Sequence, residues 1–325
     1  MAAVAKGRKK LSVAEFLRLT ARYSNWNRWG KEDQLGTLNY ITDDTVAEAA
    51  REVRRGEIRS LSIPLDSDGP QRGVLGRFNP IHYMIRDGAD VVAGVKDPRK
   101  DHQIHSTDDV AILPLQCGTQ WDSLAHIVHH GRIYNGYPAT EVGSGGARKN
   151  SITNAKEKFV GRGVLLDMPR AFGKKWLEVG FPITTDILER VAGKEGVEIR
   201  EGDIVLVRTG RMAMAKAEGA WGDYSGGPTA GLSVDAAEWL FRNRVAAVAA
   251  DNFAVEVLPY ETEEILLPLH LLAIVYMGLP LGEIFDLDGL SETCTKYERH
   301  TFFFSSPPLL VSGAVGSPIN PVAVL

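Results

Sequence analysis

The chain has 325 residues, 44% of them apolar and 24% charged, and a net charge of −4. This composition is typical of a globular protein with one elaborate domain or two, and a slightly acidic chain without a basic face excludes nucleic-acid binding. The longest apolar runs are too short to span a bilayer, and no signal-peptide core follows the basic N-terminal cluster. Two cysteines make no disulfide framework, so we expect a cytoplasmic protein that binds no membrane.

Two helices are predicted near the N-terminus. Ser12 is a capping residue before a helical apolar pattern, and Thr42 is another. Between them lies an irregular segment with two tryptophans, of which Trp29 is the second, that we expect to pack aromatic rings. We therefore divide the chain into a helical, tryptophan-rich arm, residues 1–56, and a second region, residues 57–325.

The character of the sequence changes to short strands after residue 56. Runs rich in β-branched and aromatic residues, bounded by Gly, Pro and Asp, predict strands. The predicted strands are Ile58–Pro64, Ile81–Ile85, Asp90–Val92 and Val110–Leu115, with loops at Pro70–Arg77 and Asp97–Ser106.

A row of polar residues follows the last of these strands. Gln116, Gln120, Asp122 and His126 are spaced by four, two and four residues around a turn at Gly118. Residues two apart share a face of a strand, and a glycine turn redirects the side chains after it. Carboxylate, amide oxygens and imidazole brought together in this way can hold a divalent cation or position a water.

The middle of the chain alternates between buried strands and helices. The strands are predicted at Gly163–Met168, Gly202–Gly210 and Val245–Asn252, and the helices at Thr184–Val191 and Leu232–Asn243. This alternation predicts a βαβ layer in a mixed α/β protein with a partly parallel sheet. Asp251 lies at the carboxyl end of the third strand, where α/β sites usually lie, or it caps the next turn.

A second stretch with residues that could bind a metal or take part in catalysis follows. His270 begins an apolar helix that stops at Gly278, and Glu283 stands alone in an apolar run. A buried carboxylate is costly unless it is paired or binds a cation, whereas a lone histidine on an apolar helix is more typical of a core residue. Beyond it the sequence predicts a helix at Leu290–Tyr297, strands at Thr301–Phe304 and Pro307–Val311, and a proline-rich tail.

The polar row resembles the signature H-x-G-T-H-x-D-x-P-x-H of the metal-dependent cyclase family. That family includes bacterial kynurenine formamidase, isatin hydrolase and trans-dienelactone hydrolase. The chain reads Q-C-G-T-Q-W-D-S-L-A-H over residues 116–126, so Gly, Thr, Asp and the last His match. Gln116 and Gln120 replace two histidines that are metal ligands in the family, and Leu124 replaces the proline. The G-T-Q-W-D sequence is similar to a longer branch of the family, and the resemblance extends from Trp26 almost to the C-terminus.

The resemblance implies the swivelling β/β/α fold and a small-molecule hydrolase of a cyclic or linear amide, or a lactone. It places His270 and Glu283 where a histidine and a glutamate complete the family's metal site. The implied metal ligands are therefore Asp122, Gln116, Gln120, His270 and Glu283. His126 would transfer the proton and Asp122 would act with it. A cation would polarise the carbonyl and acidify a bound water.

The resemblance also implies a substrate pocket and an oligomer. The segment that opens the longer family members and the aromatic segment before the signature help to shape the pocket in the family. The implied substrate-binding residues are Trp121, Tyr83, His82 and Trp29, to which we add Asp251. These aromatic residues indicate a flat or aromatic substrate, although core packing explains them equally well. The family usually forms homo-oligomers, and we expect a dimer.

The two glutamines leave three interpretations open. Imidazole suits Zn²⁺, whereas amide oxygens are harder and weaker donors that favour Mn²⁺ or Mg²⁺. In a metal-free hydrolase or lyase, the glutamines would bind substrate while Asp122 and His126 act as a general acid/base pair. A non-catalytic binding protein would have kept the pocket and lost the ligands, but the retained Asp122, His126, His270 and Glu283 argue against it.

Overall fold

The computed structural model of the chain describes residues 10–94 and 105–325. The basic N-terminal cluster and the loop predicted at residues 97–106 therefore fall almost wholly outside the described residues. Within the described ranges, no helix has the length and apolarity needed to cross a membrane.

The helices of the described residues are mostly short. They are α1 (Val13–Arg22), α2 (Asp43–Ala49), α3 (Gly88–Val92), α4 (Met168–Ala171), α5 (Thr185–Lys194), α6 (Arg211–Glu218), α7 (Ala236–Arg242), α8 (Pro268–His270) and α9 (Asp288–Tyr297). A π-helical segment, Leu271–Met277, directly continues α8. Single 3₁₀ turns occur at Gly36–Tyr40, Ala50–Glu52, Val74–Gly76, Tyr134–Gly136, Ala139–Glu141 and Ile152–Ala155.

Nine of the strands form one sheet in the order β1-β15-β13-β7-β9-β11-β12-β4-β14. Their bounds are β1 (Ile58–Ser60), β4 (Gln120–Asp122), β7 (Val160–Asp167), β9 (Ile204–Arg208), β11 (Ala247–Ala250), β12 (Leu281–Glu283), β13 (Thr301–Ser305), β14 (Gly316–Pro318) and β15 (Val322–Val324). The remaining strands form three pairs: β2 (Ile81–Arg86) with β3 (Asp108–Ile112), β5 (Val142–Gly143) with β6 (Gly146–Ala147), and β8 (Pro182–Ile183) with β10 (Gly231–Leu232).

The centre of the sheet is parallel, as the βαβ pattern predicts. Strand β9 pairs in parallel with both β7 and β11, and β11 pairs in parallel with β12. Alternate residues of these strands enter two different cores, one on each face of the sheet: Leu206 packs in one and Val205 in the other. Burial on both faces explains why these strands are continuous apolar runs without alternation.

Two of the predicted strands are wrong. Residues Asp90–Val92 belong to α3, because the Asp87 side chain accepts the backbone N–H groups of Ala89 and Asp90 and caps a helix there. Residues Pro307–Val311 form no strand, since two consecutive prolines lack the N–H groups that a strand needs. The tail that follows was predicted as merely proline-rich, yet it contributes β14 and β15, with Pro318 on an edge strand where proline is tolerated.

The N-terminal segment packs over the π-helical segment. Ser12 caps α1 by accepting the Glu15 backbone N–H, as the sequence predicts. Trp26 donates its indole N–H to the carbonyl of Val275 at 2.7 Å, and its ring stacks on Tyr276. The segment therefore covers the element that follows His270, while its division from the rest of the chain at residue 56 stays a prediction.

Candidate metal centre

Strand β4 supplies two polar side chains to one face and a tryptophan to the other. The two-residue period of a strand places Gln120 and Asp122 together and Trp121 opposite them. Trp121 is fully buried, stacks on Phe159 with ring centroids 4.5 Å apart, and donates its indole N–H to Ser306. A Cβ atom on Gly282, in the neighbouring strand, would lie 2.6 Å from the indole. The Trp121 side chain therefore fills the core, away from the face that carries Gln120 and Asp122.

The pairing of β4 with β12 brings Gln120 directly opposite Glu283. The Gln120 amide nitrogen donates to Glu283 Oε2 at 3.1 Å. Because a carboxylate oxygen only accepts, this bond fixes the orientation of the amide and leaves its oxygen on the other side. Gln120 Oε1 is fully buried and has no hydrogen-bond partner among the described residues.

Asp122 is the most unusual polar residue of this face. Its side chain is 1% exposed, and neither carboxylate oxygen has a hydrogen-bond partner within the described ranges. A buried carboxylate in this state is costly unless a cation compensates it. Asp122, His270 and Glu283 each offer a ligand atom, and these atoms all lie within 4.8 Å of one another.

His270 is held in place by Glu256, a residue that the sequence analysis missed. Its Nδ1 lies 2.6 Å from Glu256 Oε1, and Nε2 lies 3.2 Å from Glu283 Oε1. Glu256 also accepts the backbone N–H groups of Leu269 and His270, so it fixes both the helix start and the ring. A carboxylate on one ring nitrogen directs the other nitrogen toward a metal. The available signal was a single acid within the apolar run from Phe253 to Leu258.

The charges of the site depend on one another. Burial raises the pKa of Asp122, and nearby His126 opposes this effect. Burial also works against ionisation of Glu283, but its hydrogen bond with His270 outweighs this and lowers the pKa. For His270, burial favours the neutral ring, yet the contacts with Glu256 and Glu283 raise its pKa to about 10. The two carboxylates on either side of the His270 ring therefore favour positive charge there.

His126 lies at the edge of this cluster. Its Nε2 is 3.7 Å from Asp122 Oδ1, and its side chain is 19% exposed, against 1% for Asp122. The turn after β4 positions it, with its backbone N–H donated to Ser123. His126 is therefore within reach of both the carboxylate and solvent, as a proton-transfer group must be.

Gln116 lies beside the same strands but is less constrained. Its amide nitrogen has no partner among the described residues and lies 2.5 Å from where a Cβ on Gly316 would be. Gly316 pairs with Asp122 across the sheet, so Gln116 packs over the backbone next to the candidate ligands. A side chain on Gly316 would displace the Gln116 amide and lie 3.0 Å from the carbonyl of Trp121.

Other predicted substrate residues lie on different elements from the cluster, and their role toward a substrate stays a prediction. His82 and Tyr83 lie on β2, where the His82 ring contacts Asp109 at 2.8 Å and Tyr83 is half exposed. Trp29 packs edge-on against Tyr40, 5.1 Å between centroids.

Asp251 lies at the carboxyl end of β11, and both of its carboxylate oxygens are occupied. They accept the backbone N–H and hydroxyl of Thr209 and the backbone N–H of Gly210, at 2.6 to 2.8 Å. Burial raises the Asp251 pKa to about 6, against the lowering effect of Arg208. Asp251 therefore holds the turn at Thr209–Gly210 after β9, and not the turn that follows it in the chain as the alternative from the sequence has it; its role toward a substrate stays a prediction.

The residues that surround Asp122 fit a divalent cation. Two carboxylates, one imidazole nitrogen directed by Glu256, and an unpartnered amide oxygen from Gln120 form a mixed oxygen and nitrogen donor set. Such a set suits Mn²⁺ or Zn²⁺ more than Ca²⁺, which prefers oxygen alone. A bound cation would neutralise the carboxylates and give the orphaned oxygens of Asp122 a partner.

Comparison with known proteins gives one family match. A family model described as "Putative cyclase" matches residues 59–257. A solved structure described as a novel cyclase is 37% identical to this chain, with a TM-score of 0.84 over 94% of this chain and 99% of that one. None of the curated proteins compared with the sequence matches it.

Two isatin hydrolases share the fold at lower identity. Isatin hydrolase A from Labrenzia aggregata, bound to benzyl benzoate, is 20% identical over 85% of this chain and 94% of that one, with a TM-score of 0.60. Isatin hydrolase A from Ralstonia solanacearum is also 20% identical, over 87% of this chain and 97% of that one, with a TM-score of 0.60.

Proposed function

The chain belongs to the cyclase family and has the mixed α/β, swivelling β/β/α fold that its signature predicts, and from this premise we propose that it is a metal-dependent hydrolase. The proposed substrate is a small, aromatic molecule with a linear amide, cyclic amide or lactone bond, similar to the substrates of kynurenine formamidase and isatin hydrolase. Hydrolysis of such a bond converts a neutral carbonyl group into a carboxylate.

One observation carries this proposal: both oxygens of the buried Asp122 carboxylate lack a partner among the described residues. An orphaned buried polar group costs roughly 1–3 kcal/mol, and more when it is charged. In a metal-free acid/base pair, Asp122 would still carry this desolvation cost. A cation held by Asp122, Glu283 and His270 removes the cost.

The chain's own residues supply the remaining chemistry. When bound, a divalent cation polarises a carbonyl group and acidifies a water. Glu256 holds the His270 ring so that Nε2 faces the site. His126, at the exposed edge, takes a proton from the attacking water and returns it to the leaving nitrogen or oxygen.

Metal analysis of protein purified without chelators tests the proposal. We expect close to one Mn²⁺ or Zn²⁺ per chain after reconstitution and dialysis. Hydrolysis is then followed with isatin, formanilide and dihydrocoumarin, which present a cyclic amide, a linear amide and a lactone. A protein that takes up no divalent metal would overturn the proposal.

Replacing both Gln116 and Gln120 with histidine should strengthen Zn²⁺ binding. The change restores the two imidazoles of the family signature, and imidazole binds first-row cations more tightly than an amide oxygen does. We expect the double variant to retain more Zn²⁺ than the wild type after extended dialysis, as measured by elemental mass spectrometry. The matched control is Gln34→His, a half-buried glutamine of the N-terminal segment whose amide oxygen accepts from Asn150 and Asn154.

The opposite outcome identifies the metal-free alternative. If the glutamines bind substrate and no metal, the double variant loses affinity for substrate and gains no metal. Equal and negligible metal content in the wild type and the double variant would contradict the proposed assignment of Gln116 and Gln120 as ligands.

We also propose that the protein is a homodimer, with the β2–β3 hairpin at the interface. Ile81, Tyr83 and Ile85 lie on one face of β2 and are 51–65% exposed, and the hairpin pairs with no further strand of the described chain. An isolated two-stranded hairpin is only marginally stable in water. A self-complementary patch of this kind suits a twofold contact with a second copy.

Sedimentation equilibrium at micromolar concentration tests the dimer. We expect twice the chain mass for the wild type and a monomer for Ile85→Glu. The control is Leu266→Glu, which places the same charge at a residue that is 69% exposed outside the hairpin. A monomeric wild type would contradict the proposal.

A further inference from the structure

The loop between β1 and β2 places the positively charged side chain of Arg77 next to the turn at Gly118, here called the signature turn. Arg77 is half buried, and its guanidinium donates to the carbonyl of Gln116 at 3.5 Å and lies 5.6 Å from the centre of the Phe253 ring. Among the described residues, Arg77 has no carboxylate within 4 Å. Arg77 thus contacts the backbone of a candidate metal ligand, Gln116, without an ion pair, and most of its donors stay unused.

The loop is anchored so that Arg77 keeps this position. The Gln71 amide nitrogen donates to the carbonyl of Cys117 at 2.9 Å, and the Gln71 backbone N–H donates to Asn79 at 2.8 Å. These bonds tie both ends of the segment that contains Arg77 to each other and to the signature turn.

We infer that Arg77 is the anion-binding residue of the site and that it selects substrates by holding the carboxylate that their hydrolysis creates. This inference rests on the proposed function. In the reaction, a C–O bond forms to water, the bond from the carbonyl carbon to the leaving nitrogen or oxygen breaks, one water proton passes to the leaving group, and the other is released to solvent. A negative charge remains on the new carboxylate, and a guanidinium fork matches the geometry of a carboxylate.

The surroundings of Arg77 define the rest of the substrate. Phe253, Ala254 and Ile284 belong to one apolar cluster, and the Arg77 guanidinium lies against the Phe253 ring. An aromatic or otherwise apolar acyl group next to the carboxylate would therefore contact apolar side chains. The substrate class is an acyl compound whose hydrolysis product is an apolar, ring-bearing carboxylate.

Benzoate and benzamide are matched probes of this inference, because they have the same size and differ in charge. Isothermal titration of the Mn²⁺-loaded protein is expected to show benzoate bound more tightly than benzamide. Arg77→Gln should weaken benzoate binding by about 10- to 100-fold, the loss expected for charge-assisted hydrogen bonds. Arg77→Lys should lose less, and benzamide binding should not change.

Arg72→Gln is the control, since Arg72 belongs to the same loop and donates only to the carbonyls of Gly69 and Gln71 within it. Equal benzoate affinity in the wild type and Arg77→Gln, or no benzoate binding by the wild type, would overturn the inference. Metal content is measured on the same samples. A protein without metal would overturn the proposed function, whereas the comparison of benzoate affinities would still decide the role of Arg77.

Discussion

Asparagine at position 122 is expected to abolish metal binding and hydrolysis while making the metal-free protein more stable. The Asp122 carboxylate is 1% exposed with both oxygens unpartnered among the described residues, so the metal-free fold carries its desolvation cost. Asparagine has nearly the same shape and no charge. We expect a gain of about 1–3 kcal/mol in the free energy of unfolding of the metal-free protein, together with loss of the stabilisation that Mn²⁺ gives the wild type.

Higher stability of the metal-free protein together with loss of metal binding and hydrolysis would distinguish a functional role of Asp122 from a structural one. Asp203 is the matched control, because it is also a buried aspartate but forms an ion pair with Arg162 at 2.8 Å. Asp203→Asn breaks that ion pair, while Arg162 keeps Glu52 at 3.4 Å, and should destabilise the protein by about 1–3 kcal/mol without changing its metal content. Thermal unfolding with and without Mn²⁺, together with elemental analysis, measures both effects. A destabilised Asp122→Asn protein that still binds metal and hydrolyses its substrate would refute the site assignment.

Local sequence rules predict the part of the site that lies on one short segment. Gln120 and Asp122 share a face because residues two apart on a strand do so, and the apolar runs that form β7, β9 and β11 predict the parallel sheet. The structure places Gln120, Asp122 and His126 close together, as the polar row predicts, although β4 begins after the glycine turn and not before it. Their roles in metal binding and proton transfer stay predictions.

Local sequence rules do not predict contacts between residues that are far apart in the sequence. Glu283 faces Gln120 because β12 pairs with β4, and these residues are 163 positions apart. No periodicity encodes that pairing, and the resemblance to a known signature supplied it. Glu256 and Arg77 match no position of that signature, so neither was predicted. Their positions depend on an irregular segment before α8 and on a loop whose anchors become visible only in the folded chain.

Aromatic residues show a second limit of prediction from sequence, because residue type alone does not assign a ring to a core or to a pocket. The family resemblance assigns Trp121 and Trp29 to a substrate pocket, and that role stays a prediction; in the structure Trp121 packs in the core against Phe159 and Trp29 packs on Tyr40. A large ring is equally useful in a core and in a pocket, so its type does not decide between them. For Trp121, the strand register determines the face of the sheet on which the ring lies, which is the face opposite Gln120 and Asp122.

Alanine at position 126 is expected to lower turnover by about 10²–10⁴-fold, the usual contribution of general acid–base catalysis, with little change in metal content. His126 Nε2 lies 3.7 Å from Asp122 Oδ1, beyond hydrogen-bond distance, and His126 is outside the group of ligand atoms that lie within 4.8 Å of one another. This geometry fits proton transfer better than metal ligation. The rate is measured with whichever of the three probe substrates the wild type hydrolyses.

Imidazole rescue distinguishes the two roles of His126 directly. A proton-transfer residue that has been cut back to alanine leaves space in which added imidazole can restore part of the rate, whereas a missing ligand changes the metal content first. His130→Ala is the control, because His130 is exposed and its ring lies at a tilt against that of neighbouring His129, 4.0 Å between centroids. If His126→Ala loses metal in proportion to activity, His126 is a ligand. In that case a different group has to transfer the proton, and the acid/base assignment of the site falls.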